Sequence, residues 1–184
     1  MAKVLVPLAD GCEELEAVTI IDLLRRAGVE VVTAGLRDGV VKASRGVQLL
    51  PDTTLDVALQ ADYDMVVLPG GMPGATHLKE DARILDLLKT MAAAGKYTAA
   101  ICAAPMVLAE AGVLAGRQAT SYPGFLDGLA DVTVRSEAVV QDGTVLTSRG
   151  PGTAMDFALA LVEVLAGSEK RRQVEAALVR PPGG

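Results

Sequence analysis

Cys102 stands at a corner of the chain, between the apolar run "YTAAI" (97–101) and the alanine-rich run "AAPMVLAEAG" (103–112). The first reads as a strand, and Pro105 is placed to open a helix in the second. A thiol at a helix N-terminus faces its positive end and free N–H groups, which favour thiolate and hence a nucleophile. The alternative is a small buried hydrophobe, the usual state of a free cysteine. Position alone leaves both open. A cysteine nucleophile is ordinarily activated by histidine, and this chain has a single one, His77. It follows the glycines of "LPGGMPGA" (68–75), where a surface position is the simpler reading.

A carboxylate is the other group that exchanges a proton with sulfur. "ADGCEELE" (9–16) places Glu13, Glu14 and Glu16 in the first turns of a helix, where carboxylates are ordinarily solvated. Glu16 lies beside the apolar stripe and is able to point inward over the strand ends. Buried there, its pKa rises: protonated, it donates to a thiolate, and ionised, it suppresses one. A pair of Glu16 and Cys102 therefore works best sharing one proton. Gly70, Gly71 and Gly74 let backbone N–H groups approach a reacting atom, and the N–H groups of Gly71 and Ala103 would form an oxyanion hole if their loops meet. A glycine pair after a strand also serves an ordinary tight turn. The glycines do not fit a phosphate-binding loop, no Gly-x-Ser-x-Gly elbow is present, and one histidine with two distant cysteines gives no metal-ligand spacing.

These loops need elements to hold them. Apolar runs without alternation, at 3–8, 29–36, 63–70 and 97–102, read as strands covered on both faces. Helical patterns fall between and after them. Residues 13–28 carry Leu15, Val18, Ile21 and Leu24 as an apolar stripe with Gly28 as the stop, and 80–95 form a second helix. Residues 153–167 form a third, with Phe157, Leu161 and Leu165 on one face and a capping box of Thr153 and Asp156. Residues 38–52 and 132–148, the latter with the turn Asp142-Gly143, read as antiparallel additions. Strand and helix alternation makes a mainly parallel sheet with helices on both faces, and ligands of such sheets sit where strands end and helices begin.

The 184 residues suit one domain spanning the whole chain, with a loose tail from about 179 to 184. Seventeen basic against 23 acidic side chains give a net charge of -6, which disfavours strong nucleic-acid binding. The most apolar C-terminal stretch, "FALALVEVLAG" (157–167), is interrupted by Glu163 and falls short of a membrane span, and the opening residues do not read as a targeting segment, so none is expected. The expectation is a cytoplasmic protein with two free thiols, Cys12 and Cys102. Cys12 reads as a buried, inert thiol, with a resolving role in a redox cycle as the alternative.

Taken together, "GCEELEAV", "ASRGV", "LPGGMPGA", "AAICAAP" and "LTSRGPGTAMDFALALVE" resemble the DJ-1/PfpI (ThiJ) superfamily over essentially the whole chain, the last phrase its DJ-1 branch in particular. The resemblance implies a flavodoxin-like three-layer α/β sandwich and a homodimer. It implies Cys102 as the elbow nucleophile, Glu16 as its carboxylic partner, and Gly71 with Ala103 as backbone donors beside Gly70. It further implies that the dimer brings Arg26 and Arg45 near the pocket mouth to hold an anion or an oxidised sulfur. Two positions depart from the pattern. Peptidase-like members have histidine directly after the cysteine, where this chain has Ala103, so peptidase activity is not expected. Many relatives have histidine before the proline of "SYPGF" (121–125), where this chain has Tyr122, a pocket hydrogen-bond donor but a poor proton shuttle with its reference pKa of about 10.

The implied activity is cofactor-free, cysteine-dependent detoxification of 2-oxoaldehydes, methylglyoxal to lactate without glutathione, or a related protein deglycation. The alternative is a redox-sensing or chaperone-like stress protein whose Cys102 is oxidised to the sulfinic state.

Overall fold

The computed structural model describes residues 1–181. Its strands are β1 (Lys3–Leu8), β2 (Glu30–Gly35), β3 (Val41–Lys42), β4 (Gln48–Leu49), β5 (Thr53–Thr54), β6 (Met65–Leu68), β7 (Tyr97–Ile101), β8 (Gln118–Ala119), β9 (Thr133–Val134), β10 (Val139–Asp142) and β11 (Val145–Ser148). Its helices are α1 (Glu14–Arg26), α2 (Leu55–Ala58), α3 (Gly74–Glu80), α4 (Ala82–Ala93), α5 (Pro105–Glu110) and α6 (Ala154–Ala177).

Seven strands form one sheet in the order β10-β11-β7-β6-β1-β2-β5. Every neighbouring pair is parallel except the hairpin β10–β11, which turns at Asp142-Gly143. β1 shows why the apolar runs do not alternate. Its Val4, Val6 and Leu8 face a cluster with Ala17, Ile20 and Leu24 of α1 and Phe157 and Leu161 of α6. Leu5 faces the opposite cluster, with Leu55 of α2, Ile84 and Leu88 of α4, and Val107 and Leu108 of α5. Successive side chains alternate across a strand, so a sheet covered on both faces needs an apolar residue at every position. This is the flavodoxin-like three-layer arrangement.

Several local expectations are corrected. Residues 38–52 do not join the main sheet: β3 and β4 pair antiparallel with each other, while β5 adds a parallel edge to β2. β9 pairs with β8 rather than extending the hairpin. The buried face of α1 is not the stripe at threefold spacing, for Leu15 and Val18 are 50% and 47% exposed. Residues three apart drift by about 60° per step on a 3.6-residue helix, and the face that meets the sheet is Glu16, Ala17, Ile20, Leu23 and Leu24. Thr153 makes no capping box with Asp156. Its Oγ1 instead accepts from the Gly150 N–H (3.1 Å) and meets Ser148 Oγ (2.7 Å). Gly167, with φ of 87°, interrupts α6 without ending it, and the helix resumes to Ala177. In the described part of the C-terminal stretch Val179 is exposed, while Arg180 bonds to Asp156 (2.9 Å) and Glu175 (3.3 Å). Residues 182–184 of that expected tail lie outside the described residues.

Candidate active site

The loops after β1, β6 and β7 converge at the carboxyl ends of three adjacent strands. The contact between the first two is close enough to dictate glycine. A Cβ on Gly71, whose φ is +88°, would stand 2.3 Å from the Glu13 nitrogen, and one on Gly74 would stand 2.5 Å from the Cys12 nitrogen. The Glu13 N–H donates to the Gly70 carbonyl at 2.9 Å, which locks the start of α1 to the glycine loop.

Cys102 ends β7 with φ of 64°, a left-handed conformation that side chains other than glycine rarely adopt and that costs on the order of 1 kcal/mol or more. The corner is held from both sides: the Cys102 N–H donates to Ser148 of β11 (3.0 Å), and its carbonyl accepts from the Tyr122 N–H (2.8 Å). The turn directs the sulfur into the space between the loops, where the backbone N–H groups of Gly71 and Ala103 favour its ionised form.

Glu16 enters from below. It is fully buried, and its Oε2 accepts from the Gly70 N–H at 2.8 Å. Its other oxygen, Oε1, is buried with no hydrogen-bond partner, and the Cys102 thiol lies close enough to lower the carboxyl pKa. Burial pushes the Glu16 carboxyl up to about 7, against the lowering effect of the Gly70 N–H and the thiol. The thiol is itself pushed up to about 12, by burial first and then by the charge of Glu16, and the two N–H donors only partly offset this. Of the two opposed influences on the thiol read from the sequence, the helix end favouring thiolate and an ionised Glu16 suppressing it, the second prevails together with burial. α5 has only six residues, and the carboxylate and the burial outweigh it. Between those two pKa values the pair holds a single proton, shared between carboxylate and sulfur.

Above the sulfur opens a cavity of about 400 Å³ whose walls include Arg45, Gly71, Met72, Tyr122, Phe125 and Pro151. Arg45 is placed by Glu14, whose carboxylate accepts from the Arg45 N–H at 2.8 Å and from Ser44 Oγ at 3.0 Å. Its own chain does not bring Arg26 to this cavity. Arg26 sits at the far end of α1, bonds to Asp22 at 2.9 Å, and borders a separate groove with Lys170 and Val174. His77 lies apart as well, its Nδ1 2.9 Å from the Asp10 carbonyl, in a cavity bordered by Arg37 and Arg83. Cys12 is fully buried and is not among the residues lining the cavity, and its thiol is pushed up to about 12 by burial and then by Glu14. Sequence reasoning missed Glu14, Ser44 and Phe125. The first two act through backbone and hydroxyl contacts that carry no spacing signal. Phe125 was marked by the rarity of aromatic residues, which make up 3% of the chain.

Among the described residues no group of three His, Cys, Asp or Glu side chains is placed to hold a metal ion, and no helix is long and apolar enough to cross a membrane.

A flavodoxin-like sheet with a strained cysteine at a strand end, a buried glutamate beneath it and the backbone N–H groups of Gly71 and Ala103 beside it defines a class of α/β proteins with a cysteine elbow. Comparison with known proteins names the family. The family model for the DJ-1/PfpI family matches residues 2–164, and the chain belongs to that family. Protein dj-1beta of Drosophila melanogaster is 48% identical over 178 residues, covering 95% of this chain and 95% of that protein. The glutathione-independent glyoxalase DJR-1.2 of Caenorhabditis elegans is 38% identical, covering 92% of this chain and 90% of that protein. The crystal structure of the Drosophila DJ-1beta protein superposes with a TM-score of 0.94 at 45% identity, covering 98% of each chain.

Proposed function

We propose that the protein converts 2-oxoaldehydes, methylglyoxal foremost, to 2-hydroxy acids at Cys102 without glutathione, or releases the same groups from early adducts on amines and thiols. The observation that carries this reading is the Glu16 carboxyl, buried, raised to about 7 and set against the Cys102 sulfur. The name of the C. elegans relative supports it.

The chemistry follows from what each group can hold. The sulfur adds to the aldehyde carbon as its proton passes to Glu16, and Glu16 delivers that proton to the aldehyde oxygen, giving a hemithioacetal and restoring the carboxylate. The N–H groups of Gly71 and Ala103 stabilise the negative charge on that oxygen as it develops. Glu16 then removes the proton from the former aldehyde carbon and returns one to the former ketone carbon through an enediol. The product is a thioester of a 2-hydroxy acid. Water cleaves it, restoring the thiol and releasing the acid. One carbon is oxidised as its neighbour is reduced, so the balance closes with water alone and the reaction requires no cofactor. Ala103 leaves no histidine beside the sulfur, which weighs against peptidase chemistry. In buffer free of amine and thiol, wild type should form one lactate for each methylglyoxal consumed. Consumption without lactate would overturn the reading.

A second reading draws on the same donors. A protonated Glu16 and two N–H groups suit a sulfinate on Cys102, as in an oxidative-stress sensor. Mild peroxide should then add two oxygen atoms to Cys102, in Glu16→Gln as in wild type, because an amide also donates. The same mass spectra should show no loss of two hydrogens, since Cys12 has no exposed surface and does not line the cavity that opens above Cys102.

The homodimer belongs to this proposal too. Leu15 and Val18 are exposed on α1, and Arg26 follows on the same face, so a second copy docked there covers the apolar pair and carries its arginine toward the neighbouring molecule. Light scattering should give the mass of two chains. A single-chain mass would remove Arg26 from the account. We place the protein in the cytoplasm.

A further inference from the structure

The chain has five aromatic residues, three Tyr and two Phe, with no Trp. Three serve the fold: Tyr63 and Phe157 are buried in the core, and Tyr97 packs against it. The remaining two, Tyr122 and Phe125, both line the cavity above Cys102. Their rings meet edge to face, with centroids 6.2 Å apart and planes at 76°. They are tied to the reacting residue through the backbone. The Tyr122 N–H donates to the Cys102 carbonyl at 2.8 Å, and the Phe125 N–H donates to the Tyr122 carbonyl at 3.2 Å. Tyr122 remains 50% exposed, so burial of its ring in the core does not explain its position. Met72, half exposed, and Pro151 continue the apolar wall.

The cavity of about 400 Å³ is large for methylglyoxal, which would leave most of it to water. Pockets of about 300–1,000 Å³ with apolar walls and few polar groups ordinarily take ligands of drug size. Aromatic edges and faces recognise another ring by offset or edge-on contact. We infer, on the reading that Cys102 acts on 2-oxoaldehydes, that the substrate class of this site is 2-oxoaldehydes with an aryl group on the ketone carbon, and that Tyr122 and Phe125 determine that specificity. With the aldehyde carbon at the sulfur, the aryl ring extends along the cavity to the aromatic pair. The balance is that of the smaller substrate. Arylglyoxal and water give the aryl 2-hydroxy acid, with the aldehyde carbon oxidised, the ketone carbon reduced, and the sulfur regenerated when water cleaves the thioester.

The test is the ratio of kcat/KM for phenylglyoxal to that for methylglyoxal, from initial rates read before phenylglyoxal modifies arginine side chains. Wild type should favour phenylglyoxal by about tenfold or more, the ratio that one aromatic contact of ordinary strength provides. Phe125→Leu, which keeps an apolar side chain and removes the ring, should lower that ratio about tenfold, mostly through KM. Equal ratios in the two proteins overturn the specificity, while lactate from methylglyoxal leaves the underlying activity standing. If wild type turns over neither aldehyde, the underlying activity fails and binding decides the inference. Mandelate should then shield Cys102 from iodoacetamide at about a tenth of the lactate concentration in wild type, an advantage lost in Phe125→Leu. Equal shielding by the two acids overturns it.

Discussion

Glu16→Gln lowers kcat/KM for methylglyoxal at least about a hundredfold, the lower end of what a positioned acid-base group contributes. Glutamine fills the same space and still meets the Gly70 N–H through its carbonyl, so the fold is retained while the base is lost. Two pH profiles sharpen the test. In wild type the rate rises as pH climbs through about 7, because the ionised Glu16 takes up the thiol proton. Stability runs the other way. The folded carboxyl is raised above its unfolded value of about 4.3, so only the folded state holds the proton between the two values. This contribution is therefore complete below about 4.3 and is lost as pH rises to about 7. Urea unfolding across that window should show wild type losing stability relative to Glu16→Gln. A rate limb that persists in the variant, or parallel stability curves, would assign the proton to another group.

Gly70→Ala is expected to reach a similar loss by displacement. The added Cβ would stand 2.6 Å from the Cys102 Cβ, 2.8 Å from Glu16 Oε2 and 2.8 Å from the Ile101 carbonyl oxygen. The Cys102 Cβ and the Ile101 carbonyl are fixed by the backbone, and Glu16 Oε2, though a side-chain end, is buried and held by the Gly70 N–H, so the methyl pushes sulfur and carboxyl apart. A misplacement near 1 Å costs about a hundredfold in rate, and overpacking a tight interior costs about 1–3 kcal/mol. Gly152→Ala is the control, since its Cβ would meet nothing within 4 Å. Kinetics and urea midpoints of the two variants check this, and wild-type kinetics in Gly70→Ala would show that the close packing of Gly70, Cys102 and Glu16 is not what positions the pair.

The parallel strands were legible because burial on both faces leaves an unbroken apolar run, a signal that strand geometry enforces. The three loops were legible because a parallel sheet gathers its strand ends on one edge, which brings Cys102, Glu16, Gly71 and Ala103 together although they are distant in sequence. The orientation of α1 was not. Leu15 and Val18 are apolar yet exposed, and an acidic residue, Glu16, occupies the buried face because Gly70 and Cys102 are there to receive it. Thr153 had the spacing of a cap and spends its hydroxyl on the loop after β11 instead. α3 was hidden behind the glycines that precede it. The direction of the thiol pKa was also out of reach, since it depends on how much water the folded loops exclude and on which neighbour carries charge.

The most direct measurement is chiral analysis of lactate formed from methylglyoxal by wild type and Cys102→Ala, side by side in buffer free of amine and thiol. The account predicts lactate of one hand from wild type and none above the uncatalysed background from Cys102→Ala. Lactate formed equally by both proteins would contradict it, because the sulfur would then have no bond to the substrate.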